Sequence, residues 1–286
     1  HRGVTTPYDV DEPAIPSGDG GLVRLRLDLG YDGTDFSGWA RQPGLRTVQE
    51  TVETALGTVL RLAAPPQVTV AGRTDAGVHA TGQVAHVDLL NPPTPERLLR
   101  RLVGVLPHDV VITQVSVAAP GFHARFGASG RRYRYRVTDG PLDPLRRHET
   151  VRWKRPLDAA AMHTAAQGLV GAQDFAAYCR RREGATTIRT LHSLIAYRGE
   201  SGVVVVEAHA DAFCHNQVRS MVGALLAVGD GRRTAEWPAQ ILRGRVRDAG
   251  VTVAPAHGLT LVAVDYPPDD ELFDQVVRTR RRRDEA

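Results

Sequence analysis

The chain has 286 residues, of which 42% are apolar and 24% charged, with a formal net charge of +4. That is the composition of a globular protein of one large domain or two ordinary ones, and no apolar run approaches the ~18 residues of a membrane span. Cys179 and Cys214 are too few for a disulfide framework and lack metal-ligand spacing, so no metal is expected and a reducing cytoplasm is the natural compartment. Lys154 is the only lysine, which leaves 35 of the 36 basic residues as arginine. Arginine suits bidentate phosphate contacts and stacking on bases; codon bias in a chain rich in Ala, Gly and Val would give the same count.

Residues 1–21 are rich in Pro, Gly and Asp and read as a mobile leader without a signal-peptide pattern. Leu22 to Leu29 alternates apolar and polar residues, the period of a half-buried strand. Thr47 opens a helix with Glu50 three residues on, a capping box, and Val48, Val52, Ala55, Leu56, Val59 and Leu60 share one face of it. Strands follow over 68–71 and 83–89, a helix over 95–103 and a strand over 110–117. The order then repeats: a strand over 131–138, a helix from Asp158 to Val170, a hairpin of 188–197 with 203–210, a helix over 216–228 and a strand over 260–264. An extra helix over 234–244 lies between the last two. Arg278 to Arg283 reads as a solvated, disordered basic run. The expected fold is therefore α+β: two ferredoxin-like β-α-β-β-α-β halves, residues 22–120 and 121–268, with a basic tail over 269–286. Their antiparallel sheets would lie side by side with an active-site cleft between them.

Three stretches stand out. Ala71 to Ala80 (AGRTDAGVHA) places Arg73 and Asp75 between Gly72 and Gly77. It is good turn chemistry, and equally a way to present a carboxylate close to a ligand. In Arg131 to Val137 (RRYRYRV), Arg132, Arg134 and Arg136 face one way and Tyr133, Tyr135 and Val137 the other. Such a strand suits nucleic acid, or is an amphipathic strand with tyrosine in the core. In Phe213 to Gly223, Arg219 sits early in a helix whose other side chains are largely apolar, so it needs a partner, with Asp75 preferred, or else marks a wet face. Arg41 and Gln42, after Trp39, could touch RNA or form a surface turn. His79 and His86 read as structural. No GxGxxG after a strand and no phosphate-binding GxxxxGK[ST] occurs, so no nucleotide cofactor is expected. A non-catalytic RNA-binding protein on the same platform, and a small-molecule hydrolase using Asp75 and His79, are the alternatives.

Taken with Tyr31-Asp32-Gly33, Gly38-Trp39-Ala40-Arg41-Gln42 and Phe122-His123-Ala124-Arg125-Phe126, these stretches make the chain resemble the tRNA pseudouridine synthase A family from about Leu22 to Pro267. It departs from that pattern before Leu106-Pro107, where the usual Asn is missing. The resemblance implies a cofactor-free isomerisation of uridine to pseudouridine at positions 38, 39 and 40 of the tRNA anticodon stem-loop, by a homodimer. It implies that Asp75 is the catalytic aspartate, acting as nucleophile or general base, with Arg73 beside it. Tyr133 would pack on the flipped-out base, and Arg219 would be a basic active-site residue that keeps Asp75 charged.

Overall fold

The computed structural model describes residues 21–180 and 186–284, so the expected leader falls almost wholly outside the described residues. Two compact units emerge: one runs to Ser129 and takes in Val264–Asp284, the other is Gly130–Ala263. The mixed α+β class expected from the sequence is found. Among strand pairs with a described register, all are antiparallel except one short parallel pair.

In the first unit the chain forms β1 (Leu22–Tyr31), α1 (Val48–Leu60), β2 (Thr69–Val70), β3 (His79–Leu90), α2 (Pro95–Val103) and β4 (Val110–Val117). The alternation in β1 buries Leu25, Leu27 and Leu29. This strand pairs with β3 on one side, Leu27 opposite Ala85, and with β4 on the other, Leu27 opposite Val115. Strand β2 adds to the far edge of β3, Val70 opposite Ala85, so the order is β4-β1-β3-β2. Helix α1 starts where Thr47 accepts a hydrogen bond from the Glu50 amide, and stops where Arg61 turns left-handed at φ 54°. Its stripe of Val48, Val52, Ala55 and Leu56 is buried.

The second unit holds β5 (Gly130–Thr138), β6 (Val151–Arg152), α3 (Ala159–Gln167), β7 (Gly171–Asp174), β8 (Ile188–Arg198), β9 (Val204–Ala210), α4 (Gln217–Gly229), α5 (Trp237–Gly244) and most of β10 (Leu259–Asp265). Its strand order is β10-β5-β9-β8-β7, with β6 parallel on β5. Setting aside the short β6 and β7, fourth, first, third and second strands lie side by side, as in the first unit. Neither short strand was expected; two and four residues are too few for periodicity to show. Asp158 caps α3 by accepting from the Ala161 amide at 2.9 Å, as its position suggested.

Two expectations need correction. The basic tail is helical: α6 (Leu272–Asp284) buries Leu272 and Val276, four residues apart, and Leu272 joins a core of Ala118, Phe122 and Ala124. Gln275 Nε2 donates to the Ala128 carbonyl at 3.2 Å, so an apolar stripe hidden among charges anchors the segment. The two cysteines are bonded to each other, with Cα atoms 5.6 Å apart across a sequence separation of 35. The turn after β7 and the entry to α4 bring them together, and Arg180 N donates to the His215 carbonyl alongside, a proximity no sequence spacing reveals. Among the described residues, no helix is long and apolar enough to cross a membrane and no His, Cys, Asp and Glu cluster could hold a metal ion.

Candidate active site

The loop of Arg73 and Asp75 joins β2 to β3, the strands that fix its two ends. Along it burial alternates: Ala71 and Thr74 are buried, Arg73 is exposed and Asp75 half-buried. The inward residues are held by hydrogen bonds. Ala71 N donates to the Val84 carbonyl at 2.8 Å, Trp39 N to the Thr74 carbonyl at 3.0 Å, and Val78 N to the Asp75 carbonyl at 3.1 Å. Thr74 Oγ1 lies 2.7 Å from the phenol of Tyr31, and Gln83 Nε2 donates to the Gly72 carbonyl at 2.8 Å. Burial pushes the Tyr31 phenol up to about 12, against hydrogen bonds with Thr74 and Gln83 that lower it.

Two glycines explain how closely the neighbouring chain approaches. Gly38 has φ 88°, and a Cβ there would lie 2.9 Å from the Thr74 carbonyl oxygen and 3.2 Å from the Asp75 carbonyl carbon. Only glycine lets residues 37–39 press on the peptide that carries Asp75. A Cβ on Gly33 would collide with the Val78 carbonyl in the same way. His79 is buried, and its Nδ1 accepts from Gly33 N at 2.9 Å, the structural role read from the sequence. The Tyr31-Asp32-Gly33 and Gly38-Trp39 motifs are therefore the packing surface of the loop.

Arg41 and Gln42 serve the same neighbourhood. Arg41 hydrogen-bonds Glu53, whose side chain is only 4% exposed, and Glu53 also accepts from Gln49 Nε2 and Val68 N, each at 2.9 Å. Gln42 Nε2 closes its own turn by donating to the Ser37 carbonyl at 2.9 Å. Arg41 thus neutralises a buried carboxylate, a partner that sequence spacing did not suggest.

Tyr133 and Arg219 belong to the second unit. Tyr133, on β5, is half-buried and meets Phe213 edge-on, ring centres 5.3 Å apart at 82°. Tyr135, two residues on, is fully buried, donates to the Pro255 carbonyl at 2.8 Å, and burial pushes its phenol up. One tyrosine therefore belongs to the core and the other lies at the surface end of the same face. Arg219, half-buried in the first turns of α4, donates through Nε to the Ala254 carbonyl at 2.7 Å, and its own carbonyl accepts from Ala254 N. One turn later Gly223 leaves no space for a side chain against the Thr252 carbonyl, which seats α4 on residues 252–254. Asn216, left-handed at φ 64°, turns the chain into α4, and Gln217 Oε1 accepts from the Cys214 amide at 3.0 Å.

The arginines on the other face of β5 are compensated. Arg134 lies opposite Glu207 and contacts it at 3.3 Å, and Arg136 Nε is 3.3 Å from Thr150 Oγ1 and 3.9 Å from Glu149. With Arg146 and Tyr197 they line an open concavity of about 580 Å³. Acidic partners from β9 and the 141–150 loop are interleaved with Arg134 and Arg136.

Residues 165–267 match the family model described as tRNA pseudouridine synthase. The tRNA pseudouridine synthase A of Frankia casuarinae is 62% identical over 91% of this chain and 95% of its own length. That of Streptomyces avermitilis is 55% identical over 92% and 95%, and that of Mycobacterium leprae 49% identical over 90% and 94%. Among solved structures, the archaeal box H/ACA sRNP Nop10–Cbf5 complex covers 71% of this chain and 44% of its own at 12% identity and a TM-score of 0.29, a likeness too distant to bear on the fold. With identity of this extent over nine-tenths of its length, the chain belongs to the tRNA pseudouridine synthase A family and is an isomerase that makes pseudouridine in tRNA.

Proposed function

We propose that the chain converts uridine to pseudouridine at positions 38, 39 and 40 of the tRNA anticodon stem-loop, with Asp75 carrying the reaction. The observation behind this reading is the construction of the Asp75 loop. A half-buried carboxylate stands in a loop held by Trp39 N, Tyr31 and Gln83, in a stretch that resembles the family's motif.

The reaction breaks the bond from ribose to the ring nitrogen, turns the uracil and forms a bond from ribose to ring carbon five. The proton on that carbon leaves and the freed nitrogen regains one, so the product is an isomer and no cofactor is consumed. A base inside a stem must first leave the stack. Arg73, exposed beside Asp75, supports the opened backbone. Asp75 acts as nucleophile or general base, and Arg219 is a basic residue of the reaction. Tyr133, held by Phe213, offers its ring to the turning uracil. Arg41 and Gln42 would contribute to RNA binding at the rim of the loop, Arg41 with the part of its side chain that Glu53 leaves exposed. The chain acts as a homodimer in the cytoplasm, with tRNA as its substrate.

Tritium release from tRNA labelled at uracil carbon five, paired with sequencing of the modified positions, tests this. Wild-type protein should release label from the anticodon stem-loop alone, and Asp75→Asn should release none while still binding tRNA. Label released from another arm, or normal turnover by Asp75→Asn, would remove the assignment.

A further inference from the structure

The side chains beneath the Asp75 loop form a connected hydrogen-bond chain. Gln83, in β3, is fully buried and its amide orientation is set by backbone: Oε1 accepts from Val84 N at 3.2 Å and Nε2 donates to the Gly72 carbonyl at 2.8 Å. The same Nε2 donates to the Tyr31 phenol at 3.1 Å. The phenol also shares a hydrogen bond of 2.7 Å with Thr74 Oγ1, in which either oxygen can donate. The chain thus runs from Gln83 through Tyr31 to Thr74. Tyr31 is 5% and Thr74 6% exposed.

The two anchored residues, Gly72 and Thr74, flank Arg73, and Thr74 immediately precedes Asp75. Trp39 holds the other side of Thr74, and its ring stands 6.0 Å from that of Tyr31. An ordinary turn does not need this arrangement. Burying an amide, a phenol and a hydroxyl costs free energy unless every one is satisfied, and apolar side chains would support a plain turn equally well. What the network adds is directional restraint on the peptide that bears the carboxylate.

We propose that Gln83 and Tyr31 are positioning residues that set the Asp75 carboxylate for reaction by restraining Gly72 and Thr74. The proposal rests on the reading of Asp75 as the reacting group. A carboxylate displaced by about 1 Å loses roughly 100-fold in rate without any change in how the substrate is held elsewhere.

The test compares Tyr31→Phe, Thr74→Val, Thr74→Ser and Asp75→Asn in the full chain, with unmodified tRNA, measuring single-turnover pseudouridine formation, tRNA affinity and thermal midpoint. Tyr31→Phe and Thr74→Val should each slow the single turnover by about 10- to 100-fold with affinity unchanged, and Thr74→Ser, which keeps the hydroxyl, should restore the rate. Wild-type single-turnover rates in both slow-predicted variants, measured below their melting points, would overturn the proposal and leave the network a purely structural one. If Tyr31→Phe fails to fold, the near-isosteric Thr74→Val decides the matter. An inactive Asp75→Asn beside fast Tyr31→Phe and Thr74→Val sinks only the positioning role, whereas an active Asp75→Asn sinks the reading of Asp75 itself.

Discussion

The Asp75 loop and the Arg219 helix present the side chains proposed to act on uridine by opposite means. Asp75 stands on an irregular segment whose shape depends on side-chain hydrogen bonds from Tyr31 and Gln83 and on the missing Cβ of Gly38. Arg219 and Tyr133 project from a regular helix and strand, held by an apolar core, one ring contact and the backbone of Ala254. The first device places an atom within narrow limits and fails when one polar partner is lost. The second tolerates such losses and fails when packing is disturbed. Reactive geometry is sensitive at the scale of an ångström, whereas a stacking ring or a counter-charge acts over a broader range. The polar network accordingly sits under the carboxylate.

The sharpest break of this comparison is Asp75→Asn, expected to lower single-turnover pseudouridine formation by at least about 10⁴-fold, as removal of a reacting group does, with tRNA affinity retained in filter binding. Gly38→Ala comes next. Its Cβ would meet the Thr74 carbonyl at 2.9 Å in a left-handed backbone, so a rate loss of about 100-fold with a destabilisation of about 1–3 kcal/mol is expected from kinetics and chemical denaturation. Gly223→Ala should show the contrasting pattern: about 3 kcal/mol lost as α4 is pushed off residues 252–254, with the folded fraction still turning over. A Gly223→Ala variant slowed as strongly as Gly38→Ala at equal stability would erase the distinction between the two devices.

A smaller effect tests the first unit's interior. His86 and His123 stack edge-on with ring centres 4.8 Å apart, and each Nδ1 accepts backbone N–H groups near residue 124. Burial holds His86 well below its ordinary 6.5, with the Arg24 cation adding to it, and brings His123 down to about 3 for the same reasons. Below pH 6.5 the unfolded chain takes up protons that the folded chain refuses, so stability falls as the pH drops from 6.5 toward 3. Denaturant midpoints should decline between pH 6.5 and 5, above the range where carboxylates titrate, and a flat profile there would contradict buried neutral imidazoles. Least of all, Arg41→Ala should cost about 1 kcal/mol by leaving Glu53 short of a partner, because the pair is half exposed on the arginine side. A salt dependence of tRNA binding equal to wild type in that variant would make Arg41 a structural residue only.

Much of this protein was determined by local pattern. The alternation of Leu25, Leu27 and Leu29, the stripe of Val48, Val52, Ala55 and Leu56 and the caps at Thr47 and Asp158 specify β1, α1 and α3, because side-chain period and terminal hydrogen bonds are properties of short segments. The Arg73–Asp75 loop, the Tyr133 strand and the Arg219 helix were marked in the same way, by unusual residues at short spacing. Tertiary structure alone decided the rest, since it depends on contacts between residues far apart in the chain. Gln83 reads as one more polar residue in a strand until Tyr31, 52 positions away, is found against it. Arg41 looks free for RNA until Glu53 is seen buried beside it, Cys179 meets Cys214 only through a turn and a helix entry, and the basic tail becomes a helix because Leu272 finds a core to enter. The sequence marked which residues were unusual, and packing decided which of them hold Asp75 in place.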